Sequence, residues 1–143
     1  MAITKIGFTG TQRGMTEEQK KSFRDYILGY NPWQAEFHHG DCIGADADAH
    51  AIVSEYGLPT VIYPAWDDAK RAYCAGTIIH ERNTPLVRNV LIVVHTDFLI
   101  ACPKGFEEEL RSGTWHTIRQ AKKRNRKVFL IYPDGKSEVI PAR

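Results

Sequence analysis

Cysteine is scarce in this chain: Cys42, Cys74 and Cys102 are all there is, an odd number of 3 with no C-x-x-C pair. That excludes a disulfide framework and a zinc ribbon and fits a reducing compartment, so a cytoplasmic location is expected. Long apolar runs are missing as well. The longest, residues 90–94, is roughly a quarter of a membrane-spanning helix. The opening Met-Ala-Ile-Thr-Lys contains no signal-peptide core. Charge of one sign is also lacking, since 19 Lys and Arg against 17 Asp and Glu leave +2. Such a balance points to neither nucleic acid nor a membrane surface as a partner. No repeat, linker or low-complexity stretch interrupts the chain. What is present is ordinary for a folded domain: 143 residues, 43% hydrophobic and 25% charged. That length reads as one domain over residues 1–143, with enough apolar mass to bury a core.

Strand-like and helix-like segments alternate. Residues 3–9 read as a β-branched strand, followed by the loop Gly10-Thr-Gln-Arg-Gly14. Thr16 and Gln19 fit a capping box, and Phe23, Ile27 and Tyr30 give the helix after it one buried face. Asn31-Pro32 stops that helix. A short strand follows at about residues 35–38, then a helix carrying Ala45, Ala49, Ile52, Val53 and Tyr56, with Gly57 as its C′ residue. Residues 60–63 form a third strand, ended by Pro64. In residues 65–75, Trp66, Asp67 and Asp68 suit a loop and 70–75 suit a turn of helix. Residues 76–83 carry no assigned element. Residues 86–94 fit helix or strand by period alone. Helix is preferred, because Thr84 caps it, Pro85 suits its first position, and a crossover is then in place before the strand at 97–103. A last helix from 113 to about 125, a strand at 128–132 and a small edge strand at 137–140 complete the pattern. The fold class is α/β: a three-layer sandwich on a mainly parallel, five-stranded sheet.

Right-handed crossovers gather the strand-to-helix loops at one sheet edge, where such sheets bind ligands. Ser112, Gly113 and Thr114 open the last helix, whose free N–H groups and partial positive charge suit a phosphate. An ordinary capped helix would use the same residues. Gly10 and Thr11 could bring amides to an anion with Arg13 as a charged partner, or could form a plain turn. His39-Gly40-Asp41 and Gly44-Ala45-Asp46 set two carboxylates beside a helix start, suited to ribose hydroxyls or to capping and solvation. Arg82 could take a phosphate and Asn83 a base or ribose edge; otherwise they are a surface cation and a cap. Trp115 begins an apolar stripe and belongs to the core, while His116 points elsewhere and could reach a ligand. The basic run at 122–127 suits the negative end of a helix. His38 and His39 have no third ligand spaced for a metal, so no metal centre is expected.

Gly7-Phe-Thr-Gly-Thr11, His38-His-Gly-Asp-Cys-Ile-Gly-Ala-Asp46, Arg82-Asn83, Asp97-Phe-Leu-Ile-Ala101 and Ser112-Gly-Thr-Trp-His-Thr117 together resemble the SLOG superfamily. The likeness is strongest to its YspA/YpsA-related branch, whose small single-domain members are often found in phages, and it covers nearly the whole chain in order. The resemblance implies a Rossmann-like fold and a site for nucleotides or nucleotide-derived molecules. Relatives include the lonely-guy phosphoribohydrolases, molybdenum-cofactor carrier proteins, the DNA-processing protein that binds single strands, and sensors of nucleotide signals. Many are dimers or larger, so a homo-oligomer is expected. The phosphoribohydrolases carry Pro-Gly-Gly-x-Gly-Thr-x-x-Glu, and Thr117 falls where that glutamate belongs. A threonine hydroxyl is no carboxylate base. Residues 104–112 are inserted between Pro103 and Gly113, and the spacing places none of Glu107, Glu108 or Glu109 in the glutamate's stead. The loop after the first strand is one residue longer than the branch's Gly-Ser-Arg form. The expected function is therefore non-catalytic binding of a nucleotide-derived small molecule, as a sensor or sequestering protein for a nucleotide signal. No cofactor is expected, nor is nucleic acid or a membrane as partner. The alternative is an N-glycosidic hydrolase of nucleoside monophosphates, using Asp41, Asp46 or an acid from 107–109.

Overall fold

The computed structural model describes residues 2–142 and builds them around strand β1 (Thr4–Gly10). On one side lie β2 (Ala35–His39), β3 (Thr60–Ile62) and β4 (Ile78–Ile79). On the other lie β5 (Phe98–Cys102), β6 (Lys127–Ile131) and β7 (Ser137–Ile140). The order across the sheet is β4-β3-β2-β1-β5-β6-β7. All neighbours run parallel except β7, which pairs antiparallel with β6. The sheet therefore has 7 strands rather than the five expected. β7 is the small edge strand, and β4 carries no pattern to read. Both its isoleucines are 52% exposed, and it exists because the Thr77 and His80 amides reach Thr60 O and Ile62 O, each at 2.9 Å.

The helices are α1 (Glu17–Ile27), α2 (Ala45–Glu55), α3 (Pro85–Val94) and α4 (Gly113–Lys123). Strand side chains alternate between two cores, as the pleat demands. Ile6, Phe8, Phe37, Ile100 and Cys102 meet Phe23 and Ile27 of α1 and Ala49 and Val53 of α2. Leu99, Ala101, Val128 and Leu130 meet Ile92 and Val93 of α3 and Trp115, Ile118 and Ala121 of α4. Each large apolar side chain fully buried this way contributes roughly 1.5–3 kcal/mol. Among the described residues no helix is long and apolar enough to cross a membrane.

Local signals set the helix ends. Thr16 and Gln19 form the capping box, Thr84 caps α3 with Pro85 behind it, and Gly57 follows α2 at φ 76°. Gln19 also reaches beyond its helix. It is fully buried, and its Nε2 donates to Pro103 O at 2.9 Å and Ile131 O at 3.0 Å, tying α1 to the ends of β5 and β6. The turn of helix expected at 70–75 lies earlier, as a 3-10 turn over Asp68–Lys70, because the Asp67 carboxylate accepts from the Ala69 amide at 3.0 Å and starts it there. Residues 71–75 are not helical.

Candidate functional site

The loops following β1, β2, β3 and β5 and the first turns of α3 and α4 enclose a cavity of about 600 Å³, a size ordinary for small-molecule sites. Of the sequence-predicted residues, Gly10, Thr11, Gly40, Asp41, Asp46, Ser112, Gly113 and Thr114 line it together. Arg13, His39, Gly44, Arg82, Asn83 and His116 are not among its lining.

Two close backbone approaches shape the rim. A Cβ on Gly10 would stand 2.5 Å from that of Ala45, so glycine lets β1 end directly against the start of α2. Gly44 sits at φ 91° with the Gln12 backbone where its Cβ would be, and the Ala45 amide then reaches Thr11 O at 2.9 Å. Thr11 cannot offer an amide to an anion, contrary to expectation, because its N–H donates to Cys102 O at 3.1 Å. At α4, Ser112 caps the helix through its hydroxyl, which accepts from the Trp115 amide at 3.2 Å. The Gly113 and Thr114 amides belong to the first turn, which has no intrahelical acceptors, and both residues face the cavity. Lys104 and Arg111 stand beside them, and Glu109, also on the lining, is paired with Lys104 at 3.3 Å.

Asp41 is fully buried and sits at φ 58°. Its carboxylate accepts from Arg71 Nε at 2.7 Å and the Cys74 amide at 2.9 Å. Its role is thus to hold the 71–74 segment against the β2–α2 turn, rather than to stand open to a sugar. Behind it, His39 Nδ1 accepts from the Asp41 amide at 2.9 Å, which puts the proton of a neutral His39 on Nε2, facing His50 Nδ1 at 2.9 Å. Burial pushes the His39 pKa down to about 3, so neutral it is. His39, His50 and Cys74 bring ligand-type atoms within 4.8 Å of one another, but the His39 lone pair is on the amide side and the proton on the side those atoms share.

The cavity floor holds a charged side chain the sequence reading passed over. Arg88 of α3 is 8% exposed; its Nε donates to Asn89 Oδ1 at 2.8 Å and its Nη1 to Gly40 O at 2.7 Å and Tyr63 O at 3.3 Å. The guanidinium lies where a Gly40 Cβ would be, which is why that position is glycine. Asp46 shares the floor, 4% exposed, accepting from the Cys42 amide at 3.1 Å. Burial pushes its carboxyl up to about 6, with Arg88 pulling it back. Burial likewise pushes the Cys42 thiol up to about 11, so it is no nucleophile at neutral pH. The one signal for Arg88 is its position, the single charge in the mostly aliphatic run at 85–94.

The remaining candidates are engaged elsewhere. Arg82 pairs with Asp68 and donates to the Tyr73 hydroxyl at 3.3 Å. Asn83 donates to Glu81 O at 3.5 Å, and Arg13 is exposed. His116 Nδ1 lies 3.2 Å from Asn89 Nδ2 and its Nε2 3.4 Å from the Gln120 amide. Trp115 is 5% exposed in the core, as its stripe implied. Thr117 is buried, with its hydroxyl donating to Gly113 O at 3.0 Å.

No family model matches the sequence, and neither does any curated protein. Solved structures do match the fold. The molybdenum cofactor binding protein of the phototrophic bacterium Rippkaea orientalis superposes with a TM-score of 0.70 at 20% identity, over 92% of this chain and 78% of that one. TM1055, a structural-genomics target, gives 0.67 at 15% identity, over 88% and 72%. DNA processing protein A of Helicobacter pylori, which binds single-stranded DNA, gives 0.60 at 18% identity, over 90% and 65%. At such identities the likeness shows the fold, a Rossmann-like one, and this is the fold that the SLOG resemblance of the sequence implies.

Proposed function

We propose that this protein binds a nucleotide or nucleotide-derived small molecule in the cavity, without catalysis, as a sensor or sequestering protein. The observation that carries the reading is the pairing, across one cavity, of unbonded first-turn amides at Gly113 and Thr114 with the buried guanidinium of Arg88. Amides at a helix start suit a phosphate, and a guanidinium on the floor suits an oxyanion or a base edge. Calorimetry against mono-, di- and cyclic nucleotides and ADP-ribose derivatives tests it; binding by none of them removes it. Gly113→Asp is expected to weaken binding at least tenfold, since it sets a carboxylate among the phosphate donors. Its fold should survive, because nothing lies within 4 Å of the Cβ it adds.

The reading includes a homo-oligomer. Seven of the ten α3 residues are aliphatic, and Val87 and Val94 lie 48% and 46% exposed, off the cavity lining. A helix apolar on both sides calls for a covering on both. Light scattering should give a multiple of 16.2 kDa, and a monomer at micromolar concentration would exclude it. A second functional reading, N-glycosidic hydrolysis, is favoured by one observation: Asp46 is a buried cavity carboxyl whose pKa of about 6 suits acid–base work near neutrality. Free base released from nucleoside monophosphates, and lost in Asp46→Asn, would establish it.

A further inference from the structure

Arg71 lies on the cavity wall away from α4. Its backbone bridges that of Cys42, just beyond the end of β2, whereas α4 follows β5. With β1 between them, the backbones that carry the two anion-suited groups lie two strand spacings apart, about 10 Å, which leaves room for a nucleoside between them.

The guanidinium of Arg71 is held in place. Its side chain is 13% exposed, its Nε edge is fixed to Asp41, and its Cζ lies 4.4 Å over the Tyr73 ring. Among the described residues neither Nη donates a hydrogen bond, and Lys70 beside it lines the cavity as well. The holding groups are themselves strained. Asp41 and Tyr73, at φ 58° and 57°, are two of the three non-glycine residues in the left-handed region among the described residues. Strain of this kind persists where the surroundings over-determine it. Here they do: Asp41 is gripped by His39 Nδ1 at its amide, by the Ala72 amide at its carbonyl, 2.7 Å away, and by the Cys74 amide at its carboxylate. Asp41 and Asp67 balance Arg71 and Lys70 on this wall, so what the wall offers is directional: the two Nη groups as a fork for oxygen.

Resting on the nucleotide reading, we infer that the ligand carries a second anionic group one nucleoside away from the first, and that Arg71 receives it. The chemistry is a phosphate on the 3′ oxygen, either terminal, as in nucleoside 3′,5′-bisphosphates, or bridging to a further nucleoside. Calorimetry with the four nucleoside 5′-monophosphates, the matching 3′,5′-bisphosphates and 5′-phosphorylated dinucleotides tests this and separates the two sources. In the native protein the 3′-phosphorylated probes should bind at least tenfold tighter than the monophosphates. Arg71→Gln and Arg71→Lys should each erase that advantage, so that within each variant the ratio of 3′-phosphorylated to monophosphate affinity falls to about one. The lysine variant keeps a cation opposite the buried Asp41, and the monophosphate affinity reports that the cavity is intact. Equal affinity for mono- and 3′-phosphorylated probes, or equal weakening of both by the variants, overturns the inference and leaves the nucleotide reading standing. Binding of none of these probes overturns the inference, and the nucleotide reading falls with it if the cyclic nucleotides and ADP-ribose derivatives fail to bind as well.

Discussion

Replacing Arg88 by methionine is expected to abolish ligand binding and to cost about 3–5 kcal/mol of stability, the range for breaking a buried charge network. The guanidinium serves three acceptors, on Asn89, Gly40 and Tyr63. Methionine follows its stem only as far as the Nε position and donates nothing, so all three lose a partner in the interior, at about 1–3 kcal/mol for each group left unsatisfied. Asp46 also loses the cation that lowers its pKa. The loss of binding has a different origin: the ligand loses the guanidinium that faces it from the cavity floor. Arg88→Lys restores the charge but not the planar fork, so it should recover part of the stability and little of the affinity. Denaturant midpoints measure the first effect and calorimetry the second. Native affinity in a folded Arg88→Met protein would show that the ligand does not use this floor.

Arg88 also marks the limit of what the sequence makes legible. Features decided within a few residues could be read: the Thr16–Gln19 capping box, the Thr84-Pro85 start of α3, the Gly57 stop, and the helical rather than extended state of 86–94. Each rests on a side chain meeting nearby backbone or, at Gly57, on a backbone angle that glycine tolerates, so the signal is local. β4 could not be read, since its two exposed residues are a strand only because β3 offers them an edge. The site divides the same way. Gly10, Gly40 and the Ser112-Gly113-Thr114 turn were legible as lining of one cavity, because strand-to-helix turns announce themselves and topology gathers them at one rim. The partner of Asp41 was not, because Arg71 lies 30 residues further on and meets it only after the 63–77 segment folds back. Arg82 carries the same charge as Arg71 and Arg88, and nothing local distinguishes the one that reaches Asp68 at the surface from the two that reach the cavity.

Asp46→Asn is expected to stabilise the protein at pH 7 by up to about 3 kcal/mol, since its pKa rises from 3.8 to about 6 on folding and each unit is worth about 1.4 kcal/mol. A carboxyl with a raised folded value holds a proton that the unfolded chain has already released. Its ionisation therefore carries no penalty below about pH 4, an increasing one between 4 and 6, and a constant one above 6. Asparagine cannot ionise, and its carbonyl can still accept from the Cys42 amide, so the variant escapes the penalty without losing the bond. The buried histidines run the other way, because burial lowers His38, His39 and His50 and acidification then opposes folding. The difference in stability between the two proteins, followed from pH 4 to 8, isolates Asp46: it should be near zero at pH 4 and level off above 6. Binding should follow the same titration. An anionic ligand meets a neutral acid below pH 6 and a carboxylate above it, so the affinity ratio of variant to native protein should rise between pH 5 and 7.5. Taking the ratio cancels the titration of the ligand's own phosphate. A variant less stable than the native protein at pH 7, or a ratio that does not change with pH, would mean that Asp46 is ionised throughout and that Arg88 holds it so.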